Sequence, residues 1–110
     1  MASNYKVLGQ SRPADTAVTD LYTVPSGGQA ITSTIAVANT TTLNATFRIF
    51  VRPAGAVADE ATAVVYDAVI AGNSTTTLTL GITTGATDVV SVRSNTDLAL
   101  TFTAFGLEIS

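Results

Sequence analysis

The stretch Asp20–Thr42 reads DLYTVPSGGQAITSTIAVANTTT and decides the fold class. Leu21 to Val24 makes a short extended segment. Pro25-Ser26-Gly27-Gly28 breaks it, because Pro fixes φ and the glycines are free to take positive φ. From Gln29 to Asn39 the chain alternates with a period of two and not 3.6. Ile31, Ser33, Ile35 and Val37 fall on one side and Ala30, Thr32, Thr34, Ala36 and Ala38 on the other, which predicts a strand with these two sets on opposite faces. The whole stretch carries one charge, Asp20, where an exposed strand face ordinarily carries several.

The same pattern recurs outward from this centre. Ala45–Pro53 predicts a strand with Phe47, Ile49 and Val51 on one face and Arg48, Phe50 and Arg52 on the other, ended by Pro53, which has no N–H for a ladder. Ala63–Ala71 follows, with Val64, Tyr66, Ala68 and Ile70 sharing a face. Gly72-Asn73-Ser74 is a tight turn. Thr75–Thr83 alternates again with Leu78, Leu80 and Ile82 inward. Val89–Arg93 and Leu98–Ile109 complete the set. In the last strand Leu98, Leu100 and Phe102 share one parity and Phe105, Leu107 and Ile109 the other. A bulge near Ala104 reconciles them, or both faces of the strand are covered, or its end meets a partner.

No segment offers an amphipathic helix. Seven or eight strands with regular turn signals predict a single-domain, all-β antiparallel sandwich, with jelly-roll and Ig-like Greek-key topologies both open. Residues 20–110 form this domain. Residues 1–19 read as an N-terminal arm, irregular except for a short strand at Tyr5, Val7 and Leu8, which either packs on a neighbouring subunit or is a strand laid along the edge of its own domain. Tyr5, Val7 and Leu8 are its apolar contacts.

At 110 residues the chain suits one domain and buries a core without disulfides, having no Cys. It opens without an apolar signal-peptide core, and its apolar runs are too short to span a bilayer, so neither secretion nor a membrane partner is expected. Charged residues are 12%, against roughly 25% in an average domain. Five cations make no basic stripe, which argues against nucleic acid. The 20 Thr and 17 Ala leave strands poor in the charges that keep edges apart, so self-association is expected.

Chemistry is hard to assemble from these residues. There is no His and no Cys, so the commonest general base and soft metal ligand are missing. Asp59-Glu60 is the one adjacent carboxylate pair and falls in a loop. Asp88 and Asp97 sit where Asp holds turns through its own side chain. No catalytic residue, metal site or cofactor is expected. Three Asn-x-Ser/Thr triplets are chance matches in a Thr-rich chain. The constellation that stands out is Arg48-Phe50-Arg52, three residues of interface-prone types on one strand face, with Asp67 placed to neutralise one Arg across the sheet.

Read over nearly its full length, the chain resembles small β-sandwich virion structural proteins of tailed bacteriophages. The resemblance lies in Tyr5-Lys6-Val7-Leu8-Gly9-Gln10, Leu21-Tyr22-Thr23-Val24-Pro25, Phe47-Arg48-Ile49, Val51-Arg52-Pro53-Ala54-Gly55-Ala56 and Tyr66-Asp67. It continues through Leu78-Thr79-Leu80-Gly81-Ile82, Ala86-Thr87-Asp88-Val89-Val90 and Phe105-Gly106-Leu107-Glu108-Ile109-Ser110. It implies a non-enzymatic virion component made in the host cytoplasm. The first candidate is a capsid decoration (cement) protein, as a homo-trimer on the major capsid protein. A tail, neck or fibre component is the alternative, and a carbohydrate-binding attachment module a weaker one. On the first candidate, the face of Arg48, Phe50 and Arg52 and the arm carrying Tyr5, Val7 and Leu8 make the contacts.

Overall fold

A computed structural model describes residues 3–109. Nine strands run β1 (Ser3–Ser11), β2 (Thr19–Thr23), β3 (Gln29–Asn39), β4 (Ala45–Arg52), β5 (Ala63–Ile70), β6 (Thr75–Leu78), β7 (Ile82–Gly85), β8 (Val89–Ser94) and β9 (Leu100–Ile109), with a 3-10 turn at Pro53–Gly55. They form two antiparallel sheets. The first has the order β1-β9-β3-β6, with β7 also on β3; the second has the order β2-β8-β4-β5.

The pairs β1·β9, β2·β8, β3·β6/β7 and β4·β5 are those of one long hairpin. Rolling that hairpin up brings β9 onto β3 and β8 onto β4. That is the jelly-roll topology, with β6 and β7 as one interrupted strand. The core between the sheets is built on Phe47, Ile49, Ile35, Val37, Val90, Val92, Leu100 and Phe102, each 2% exposed or less. Phe47 and Phe102 meet edge to face across the sheets, centroids 6.1 Å apart.

Of the two readings of residues 1–19, the structure has the strand laid along the edge of its own domain, longer and more regular than the short strand expected at Tyr5–Leu8. Residues 3–11 are the edge strand of the first sheet, and Leu8 packs against both core clusters. The reason is a close approach. A Cβ on Gly9 would stand 2.0 Å from the carbonyl oxygen of Leu21 in β2, so only glycine lets β1 cross there.

Three expectations of facing are corrected by bulges. Leu8 in β1 and Ser33 in β3 are both extra residues opposite β9, between Val7/Gly9 and Thr32/Thr34. They flank the point where a bulge in β9 itself was expected, and β9 keeps its alternation. Ahead of Ser33 the facing of β3 inverts, so Ala30 and Thr32 are buried and Ile31 is exposed. In β5 the paired residues skip from Val65 to Ala68 opposite Ile49 and Phe47. Tyr66 and Asp67 bulge outward, Asp67 at φ 54, so Val64 and Tyr66 are exposed while Ala68 and Ile70, expected to share their face, are turned to the core. The strand expected over Thr75–Thr83 breaks at Gly81, φ 60, which leaves Leu80 outside.

Candidate interaction surfaces

The two outer faces of the sandwich differ in chemistry. On the second sheet the outward side chains of β2, β4, β5 and β8 include Asp20, Arg48, Arg52, Asp67 and Arg93. Arg48 makes a two-pronged ion pair with Asp67, Nε to Oδ1 at 2.7 Å and Nη2 to Oδ2 at 3.0 Å. Its guanidinium also lies 3.9 Å from the ring centre of Tyr66. The hydrogen bond from Arg48 holds the Asp67 carboxyl below its ordinary range. The bulge in β5 therefore serves to swing Asp67 and Tyr66 over Arg48.

Arg52 is committed more fully. It donates to the carbonyls of Ala56 and Gly55 and to Asp20 and Ser91, which ties the 3-10 turn to β2 and β8. Phe50 between these arginines is 2% exposed and lies outside both core clusters. The expected contact strip Arg48-Phe50-Arg52 is thus corrected in part: its arginines are engaged within the chain and its ring is covered.

The outer face of the first sheet is different. Its outward residues on β3 and β9 include Ile31, Thr34, Ala36, Ala38, Thr101, Thr103, Phe105 and Leu107, and none is charged. Tyr5 and Val7 from β1 extend the face, paired with Leu107 and Phe105, and Ile31 sits opposite Leu107 on the other side. Tyr5 is 86%, Val7 50%, Phe105 40% and Ile31 38% exposed. Between them lies a shallow, mainly apolar pocket of about 220 Å³ lined by Tyr5, Ile31, Ser33, Gly106 and Leu107. A Cβ on Gly106 would meet the Ile31 carbonyl oxygen at 1.9 Å, so this glycine is what lets β3 bulge against β9 and turn Ile31 outward.

The expected arm contacts therefore separate. Tyr5 and Val7 are exposed, whereas Leu8 is drawn into the core. Phe105 and Leu107, which complete the face, belong to the strand end for which a partner contact was one of three readings, whereas Ile31 was not among the expected contacts. The available signal was glycine inside a strand, at Gly9 and Gly106, which marks a bulge or a close backbone approach.

Beneath this face one polar cluster joins the sheets. Tyr22 of β2 donates its hydroxyl to Glu108 Oε2 of β9 at 2.5 Å, and Lys6 of β1 pairs with Glu108 Oε1 at 3.0 Å. Burial and the neighbouring carboxylate push the Tyr22 hydroxyl well above the usual range, and the bonds from Tyr22 and Lys6 hold Glu108 below its own. Asp88 accepts from the backbone N–H groups of Ala54 and Gly85, which lowers its pKa and fastens two loops. These carboxylates hold strands and turns in place.

No family model matches the chain, and no curated protein does. Among solved structures, a chain of the structure of infectious bursal disease virus, Gx strain, is similar at 10% sequence identity with a TM-score of 0.45. The likeness covers 97% of this chain and 31% of that one, so the present chain spans less than a third of its neighbour.

Proposed function

We propose that this chain is a non-enzymatic virion structural protein that docks on a particle through the outer face of its first sheet. Jelly rolls serve viral coats and lectins alike, so the surface and not the fold distinguishes one role from another. The carrying observation is the charge-free face of β1, β9 and β3, apolar at the Tyr5, Val7, Ile31 and Phe105 end and lined with Thr and Ala elsewhere. Burying such a face removes apolar area from water and desolvates no charge. Short side chains lose little rotamer freedom on packing, and many weak copies on one particle bind with avidity.

Within that role the reading we favour is capsid decoration, with the major capsid protein as partner and the virion as location. A tail, neck or fibre position uses the same face against a different partner. Sugar recognition is less favoured, since Tyr22 is buried and bonded to Glu108, which leaves Tyr5 as the one tyrosine on this face. Immunogold labelling of intact particles with an antibody against the chain tests the reading. Gold over the head supports decoration, and gold confined to the tail replaces it with the tail component. Particles without gold, with the epitope shown to be reachable, refute the virion role.

A further inference from the structure

We propose that the chain pairs with a second copy of itself edge to edge, β1 against β1, about a two-fold axis at Tyr5. Sheet edges present unpaired backbone groups, and proteins blunt them with bulges, short strands and breaks. Three of the four edges here are blunted. β2 has five residues and a register shift between Asp20 and Tyr22, β5 carries two shifts, and β6 and β7 are four-residue pieces. β1 has nine residues, and its one bulge at Leu8 leaves Ser3–Val7 regular and exposed throughout.

The occupant follows from self-complementarity. Antiparallel pairing centred on Tyr5 matches Ser3 with Val7, Asn4 with Lys6 and Tyr5 with itself, so all five regular residues are used. Moving the register by two toward Val7 sets Lys6 against Lys6, and like charges directly opposite are unfavourable. Moving it by two the other way sets Tyr5 against Ser3, so the two rings no longer stand opposite each other. A one-residue slip sends the tyrosines to opposite faces. In the favoured register Lys6 faces an uncharged Asn4, while its own ammonium is held by Glu108 at 3.0 Å. On the outer face the two most exposed rings stand side by side, and the apolar surfaces of both copies become continuous.

Such a contact closes at two copies, whereas a three-fold ring, the assembly expected from the sequence resemblance, needs a heterologous surface. The inference concerns the chain alone and does not rest on the virion reading, so the two can fail separately.

Sedimentation equilibrium of the purified full chain, from micromolar to millimolar, tests it. A monomer–dimer equilibrium is expected, with the dissociation constant raised about tenfold or more by Tyr5→Lys, a change of roughly 1.4 kcal/mol or greater, while circular dichroism stays unchanged. Register is read by disulfides in this cysteine-free chain. Residues directly opposite in an antiparallel pair lie about 4.5–5.5 Å apart at Cα, within disulfide reach. Tyr5→Cys should cross-link alone, and Ser3→Cys should cross-link with Val7→Cys in a mixture. A monomer at every concentration, or Tyr5→Cys coupling no faster than the control Val69→Cys, overturns the proposal.

Discussion

Tyr22 and Glu108 stand on different sheets, and the hydroxyl of the first is bonded to the carboxylate of the second at 2.5 Å. Lys6 completes the cluster from the edge strand, so three strands from two sheets meet at one carboxylate. The bond fixes how the apolar outer face sits over the core, because Glu108 lies between the outward residues Leu107 and Ile109 on β9.

Tyr22→Phe is expected to lower the melting temperature at neutral pH and to make the protein less sensitive to acid. Glu108 has a depressed pKa in the folded state, so its contribution is complete above the unfolded carboxyl value, about 4.3. That contribution fades as pH falls through the lower folded value. The difference between wild type and variant should be widest near pH 7 and should shrink below about pH 4. Melts at several pH values read this directly, and a constant difference down to acid pH means that Glu108 is not the partner that matters.

Thr32→Val should stabilise the fold. Thr32 is 1% exposed, and its hydroxyl has no hydrogen-bond partner among the described residues. An unsatisfied buried hydroxyl costs about 1–3 kcal/mol. Valine has nearly the same shape, so a gain of about 1 kcal/mol is expected in urea denaturation. A loss would mean that a water or another group serves the hydroxyl.

Gly106→Ala should be severely destabilising, by about 3 kcal/mol or more, because its methyl group would enter the Ile31 carbonyl and no side-chain motion relieves a backbone clash. Gly9→Ala, against the Leu21 carbonyl, should behave alike. Chemical denaturation of both variants measures the cost, and a loss under about 1 kcal/mol at either site would show that the strands have room to part.

Removing residues 1–19 should not leave an intact sandwich. The deletion takes away β1, unpairs one whole side of β9 and strips Leu8 from both core clusters. Broadened melting and dye binding to exposed apolar surface are expected. A sharp, unshifted melt would return the segment to the role of a dispensable arm.

Much of this architecture is legible in the residues alone. The alternation of Gln29–Asn39 places β3 at its observed bounds, and Pro25-Ser26-Gly27-Gly28 turns as its chemistry requires, with the Gly28 N–H on the Pro25 carbonyl at 3.0 Å and Gly27 at φ 79. Asp67 does neutralise Arg48, and Asp88 does hold its turn. Facing is where the residues mislead. Ile31 and Tyr66 carry the right parity for the core, yet a bulge beside each reverses it. A bulge is a property of the pairing between strands distant in sequence, so local periodicity is blind to it. The proposed docking face is hidden for the same reason, since Tyr5, Ile31 and Phe105 come together only once β1 and β3 both bulge against β9.

The face itself can be footprinted, because the chain has no native cysteine. Val7→Cys on the outer face of the first sheet and Val69→Cys on that of the second are 50% and 67% exposed positions in the free chain. Their rates of thiol labelling would be compared in free protein and in intact particles. Strong protection of residue 7 with residue 69 still reactive is the predicted result. Protection of residue 69 with residue 7 left open would contradict docking through the charge-free sheet.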